Sequence, residues 1–246
     1  ADSALAATLA QLTTDSRVLR EDLLGLGAEE VRTFLQVQAQ SEVPAEVAGA
    51  LRARTDGNPF FLQQLASFLP ADPGGRAGDS WLHEVPASLR DWVRGRVSAL
   101  SPSCRECIEA AAVLGREFEA ATFARMTGLD DAARFAALDE ARHAGLMRRD
   151  RGDGICRFRH AVVQEAVYSE LPPLRRRELH RRAGDALEAV VTADRAERLA
   201  AVAVHLCEAA EQVGARAVDA AARAADHAER RLAFDEAAQL RELALA

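Results

Sequence analysis

Gly57, Asn58 and Pro59 stand in succession before the very apolar run Phe60, Phe61 and Leu62, inside "TDGNPFFLQQLASFL" (55–69). A proline held rigidly at the first position of a helix is a flat, preorganised apolar surface on which a planar ring can rest. The same residues also explain themselves as helix punctuation, with glycine in a left-handed turn, asparagine as cap and proline at the first helical position. Much later, "CRFRHAVVQEAVY" (156–168) places His160 where an extended run gives way to a helical pattern. Free backbone N–H groups at a helix start favour an anion, and a histidine there can bond to one. The plain alternative is a satisfied, half-buried histidine. Ring-stacking at one locus and anion-sensing at the other is the chemistry these residues offer.

Other reactive arrangements are weak. Cys104-Arg-Glu-Cys107 has metal-ligand spacing, and Cys156 with His160 would complete a set, but the pair lies in a helical pattern without a second tight pair. Buried, core-facing helix cysteines are the expectation. No nucleophile-elbow or paired-acid pattern supports catalysis. All 31 basic residues are arginine, so a phosphate-gripping or Schiff-base lysine is excluded. Net charge is -7, which gives no global attraction to nucleic acid or to anionic membranes. No apolar run reaches the roughly 20 residues that span a bilayer, and no signal-peptide layout opens the sequence. A soluble, cytoplasmic protein with no membrane partner is expected.

The elements that must position these loci are almost all helical. Helical spacing fits 2–13, with "RVLRED" (17–22) as a short strand, then helices over "GAEEVRTFLQVQ" and "PAEVAGALRART" and from Pro59 onward. "PADPGGRAGDS" (70–80) has no period and is rich in glycine, proline and aspartate, so it reads as a linker. Helices then fit 86–99, 102–114, 119–127 and 130–144. The runs "LMRRD" and "ICRFRH", joined by "RGDG", predict a hairpin. This order is that of a winged helix. Beyond Pro172 and Pro173, helices fit 174–192, 194–212, 214–232 and 235–246, the last two with the small-residue spacing of a helical-hairpin repeat. The fold class is therefore mainly α: a helical subdomain (1–70), which the resemblance described next makes a lid, a linker (71–80), a winged-helix domain with a small β-hairpin (81–171), and the start of TPR-like helical hairpins (172–246).

In order and separation, "LRARTDGNPFFLQQLASFL", "VPASLRDWVRGRVSALSPSCRECIEAAAVLGREF" and "FRHAVVQEAVYSELPPLRRRELHRRAGDALE" resemble the back half of STAND-type regulatory ATPases. The closest flavour is the large LuxR-family and antibiotic-pathway transcriptional activators. The resemblance implies a lid proline against adenine, here Pro59, with Gly57 and Asn58 shaping its approach. It also implies a histidine, here His160, that reaches the β-phosphate of bound ADP, as in the Met-His-Asp motif of NB-ARC proteins. In this chain Arg159 replaces that methionine and Ala161 the aspartate. The implied cofactor is ADP or ATP, with magnesium in the parent protein. The implied partners are an upstream ATPase core, further copies on activation, and an effector or protein ligand at the repeats.

No G-x-x-x-x-G-K-[ST] loop is present, and no Walker B strand precedes the lid. These residues are expected to begin after the ATPase core, and the chain alone is not expected to hydrolyse ATP. Two other classes remain open. One is a protein-docking winged helix beside a repeat scaffold, independent of nucleotide. The other is DNA reading, against which residues 81–170 hold 13 arginines and 14 acids, a net of -1. DNA contact is expected only through a domain elsewhere.

Overall fold

The computed structural model describes residues 23–67, 69, 84–148, 152–191 and 198–245. The expected helix at 2–13, the short strand at 17–22 and the linker at 70–80 lie outside the described residues. What is described is mainly α, with one small antiparallel sheet.

Three helices come first: α1 (Ala28–Ala39), α2 (Ala45–Thr55) and α3 (Pro59–Ala66). The start of α1 is set by Gly27 N–H donating to Glu30 Oε2 at 2.7 Å, with Glu29 and Glu30 in the first turn, where the helix dipole favours acids. α3 opens as the sequence predicts. Asn58 Oδ1 accepts from Phe60 N–H at 3.0 Å and Pro59 takes the first position. Phe61, Leu62 and Leu65 are buried, whereas Phe60 is 41 % exposed.

Next come α4 (Ala87–Ser98), α5 (Pro102–Leu114), β1 (Glu117–Glu119), α6 (Ala120–Thr127), α7 (Asp131–His143), β2 (Ile155–Arg157) and α8 (Ala161–Ser169). Ser101 caps α5 and also donates its N–H to Glu140 Oε1 at 2.7 Å, which pins α7 to α5. Cys104 and Cys107 face the core from α5, and Cys104 Sγ lies 3.1 Å from the Ala137 carbonyl of α7.

The sheet keeps the expected pairing in part and adds a strand to it. β2 pairs with β1, in register Glu117↔Arg157, Phe118↔Cys156 and Glu119↔Ile155. The run "LMRRD" pairs with "ICRFRH" through the antiparallel bridge Met147↔Phe158, flanked by Arg148 N–H to the Arg157 carbonyl at 2.9 Å and Arg159 N–H to the Leu146 carbonyl at 2.8 Å, and residues 149–150 lie outside the described set. The preference for β1 has a side-chain reason. Phe118 packs on Phe123 with ring centroids 5.2 Å apart, and Arg157 Nε lies 3.3 Å from Glu117 Oε2 across the ladder.

The chain continues through α9 (Pro173–Glu188), α10 (Leu199–Glu208), the short α11 (Ala210–Val213), α12 (Ala215–Arg230) and α13 (Phe234–Leu243). One apolar cluster runs from Val31 in α1 to Ala186 in α9, and a second from Val202 in α10 to Leu240 in α13. α12 buries an alanine face, Ala217, Ala220, Ala221, Ala224, Ala225 and Ala228, so its neighbours approach closely. Gly184 does the same for α9: a Cβ there would sit 2.5 Å from Leu206 Cδ2 and 2.9 Å from Leu206 Cγ. Gly184→Val should push α10 away and cost about 1–3 kcal/mol, read as a lower urea midpoint.

Candidate functional site

Pro59 and His160, far apart in sequence, line one open cleft of about 1140 Å³. Asn58, Arg148 and Arg159 line it as well. Gly57 does not; it stands behind the proline. Its backbone has φ +72°, its carbonyl accepts from Leu26 N–H at 2.8 Å, and a Cβ would meet Leu26 O at 2.2 Å. Glycine is needed there for both conformation and space. Of the four residues marked in the sequence, three meet at the cleft, and Gly57 holds the turn that presents two of them.

His160 caps α8 by position, with no side-chain capping bond. The residue is 9 % exposed, and its ring packs edge-on against Phe61 with centroids 4.9 Å apart. Phe61 in turn packs edge-on against Trp92 of α4 at 5.5 Å. Nδ1 of His160 is buried without a hydrogen-bond partner among the described residues. Burial depresses the imidazole pKa, although Asp56 and the Thr55 carbonyl favour the cation. The ring is therefore neutral near pH 7.

Asp56, at the end of α2, is a residue the sequence reading passed over. It accepts from Arg116 Nη2 at 2.8 Å and Arg148 Nη2 at 2.7 Å, and its Oδ2 lies 3.4 Å from His160 Nδ1. Burial raises the Asp56 pKa, but hydrogen bonds and charge from Arg116 and Arg148 outweigh it and hold the carboxyl below its ordinary range. Arg116 also donates Nη1 to the Ala53 carbonyl at 3.0 Å. Ala161 follows the histidine, and the carboxylate beside the imidazole is that of Asp56, from the first three-helix group. Only the "TDGN" turn carries Asp56 in the sequence, and nothing in that turn marks its distant partners.

A second tie lies alongside. Arg54 of α2, 9 % exposed, places Nε 3.0 Å from Glu165 Oε2 of α8 and donates Nη2 to the Glu84 carbonyl at 3.2 Å. Fork-like arginine–carboxylate pairing of this kind fixes orientation as well as distance. Between them, Arg54 and Asp56 join α2 to the elements that carry His160.

Chemically, the cleft offers an apolar proline face, a buried neutral imidazole, three arginines and the carboxylates of Asp56 and Asp139. That set suits a ligand with a planar ring and an anionic end. No helix of the described residues is long and apolar enough to cross a membrane. No protein-family model matches the chain, and no curated protein is significantly similar to it.

Proposed function

We propose that this chain is the regulatory segment of an ATP/ADP-switched signal-transduction protein, a transcriptional activator, whose lid (α1–α3) and winged helix (α4–α8) clamp the nucleotide and control assembly. The observation that carries this reading is the convergence of Pro59 and His160 on one cleft, with Asp56 tying the two groups of helices together. The His160 ring and the arginines that line the cleft beside it are the groups that would meet the anionic end of such a ligand.

When bound, the nucleotide supplies a polyanion whose charge differs between the two states of the switch. Pro59 offers the ring a flat face, and Gly57 and Asn58 hold that proline in place. His160 offers a ring nitrogen to a phosphate oxygen beside the N-terminus of α8. The remaining contacts come from the upstream core, with its magnesium. Release of His160 frees α8 to turn away from α2 and exposes a surface for self-association. An effector or protein ligand would act through the helical hairpins, and DNA would be met by a domain elsewhere.

Magnitudes apportion the work. A histidine–phosphate bond contributes about 1.5–3 kcal/mol, whereas carrying a switch from 1:99 to 99:1 takes about 5.5 kcal/mol. His160 therefore acts with Pro59 and the lid packing, not alone. In the intact parent, His160→Ala should weaken ADP about tenfold and raise basal activity in part. Titration calorimetry with ADP checks the affinity. Wild-type ADP binding and activation in both His160→Ala and Pro59→Ala would remove the clamp.

The docking-scaffold reading has one observation in its favour: Leu232 and Phe234, at the turn between α12 and α13, are 74 % and 63 % exposed. It predicts partner binding that is indifferent to ADP.

A further inference from the structure

Most charged groups around the cleft are already matched. Arg148 is spent on Asp56 at 2.7 Å, and His143 Nδ1 lies 2.8 Å from the Asp139 carbonyl and 3.4 Å from its carboxylate. Two cations are left over. Arg142, in the last turn of α7, and Arg159, between β2 and α8, both line the cleft. Neither guanidinium has an ion pair or hydrogen bond among the described residues. Elsewhere on the molecule Arg94, Arg157 and Arg175 are paired, while Arg125, Arg230 and Arg231, also unpaired among the described residues, lie off this cleft. Beside these two cations stands His160, 9 % exposed, whose ring lines the cleft while its Nδ1 faces Asp56 Oδ2 at 3.4 Å.

We infer that Arg142 and Arg159 are phosphate-contacting residues of this cleft and that, with the His160 ring, they hold the di- or triphosphate chain of a nucleotide. The inference deepens the nucleotide reading and rests on it. A guanidinium presents its donors as a planar fork that matches two phosphate oxygens at once. Two such forks on separate elements can grip successive phosphates, while the compact imidazole reads one oxygen. Arg159 adjoins His160 in sequence, so a phosphate drawn to one is brought to the other. Arg142 reaches the cleft from α7, so the same ligand would also tie α7 to α8.

The test is titration calorimetry of pyrophosphate, ADP and adenosine into this chain and into the intact parent, at low and high salt. Arg142→Gln and Arg159→Gln lie on partly or fully exposed side chains, and each should leave the melting temperature unchanged. Each should weaken ADP and pyrophosphate about tenfold, with the double variant weaker still and less salt-sensitive. Adenosine, which lacks phosphate, should bind the variants as it binds the wild type. ADP affinity unchanged in the double variant, but lowered by His160→Ala, would overturn the two arginines and leave the nucleotide reading standing. ADP affinity in the parent indifferent to Arg142, Arg159, His160 and Pro59 alike would end both.

Discussion

Asp56→Ala should lower the stability of this chain by about 2–3 kcal/mol, seen as a fall of about 5–10 °C in melting temperature. Three costs combine. Arg116 and Arg148 lose their shared carboxylate, and their guanidiniums, each about a third exposed, are left facing one another's charge. His160 loses the acid 3.4 Å from Nδ1. The backbone at position 56 has φ +51°, a left-handed conformation that aspartate and asparagine tolerate better than alanine. Asp56→Asn separates these costs, because it keeps the backbone preference and removes only the charge, so its loss should be smaller. The acid limb has a defined sign. The folded-state pKa of Asp56 is depressed, so its contribution is complete above about pH 4 and disappears as pH falls through the folded value. Under the switch proposed above, both substitutions should raise basal activity, since they loosen the tie between α2 and the His160 end of α8.

The second large effect is a loss of stability at milder acidity, from a different part of the molecule. At the meeting of α8, α9 and α10, the Tyr168 hydroxyl lies 3.0 Å from His180 Nε2, and His180 Nδ1 lies 3.0 Å from His205 Nδ1. Of the two facing Nδ1 atoms, one must carry a hydrogen and the other accept it, so the chain is satisfied when both rings are neutral. Burial, aided by Arg176, pushes His180 down to about 4, and burial with the facing His180 pushes His205 down to about 4. Both rings bind protons more readily unfolded than folded. The stability they permit is therefore complete above about pH 6.5 and falls as pH drops toward 4, where the loss levels off. The two sites are coupled, so the pair together should cost about 2–3 kcal/mol across that window. Urea denaturation at pH 7.5, 5.5 and 4.5 measures it. His180→Phe combined with His205→Leu should flatten the slope in that window while leaving the more acidic limb of Asp56 in place.

Helical periodicity was enough to place nearly every helix among the described residues, and Asn58 with Pro59 marked the start of α3 to the residue. Cys104 and Cys107 were legible as one helix face because that relation is local. β1 was hidden for the opposite reason. Glu117–Glu119 is too short to show alternation, and its partner is chosen by Phe118 packing and the Arg157 contact across the ladder. Asp56 read as an ordinary turn acid, since its role depends on three partners that only folding brings near it. The Tyr168–His180–His205 chain was hidden in the same way: each residue sits on an unremarkable helical stripe, and their union depends on the close approach that Gly184 allows.

α8 joins these observations. His160 stands at its first end, Glu165 at its middle and Tyr168 in its last turn, over a length of about 12 Å. A helix that short behaves as a stiff strut. A displacement imposed on the tyrosine end by movement of the downstream hairpins must therefore tilt the imidazole end, and the reverse holds equally. Whatever occupies the one end and whatever pulls on the other are mechanically in series, with the Arg54–Glu165 pair as the fulcrum between them.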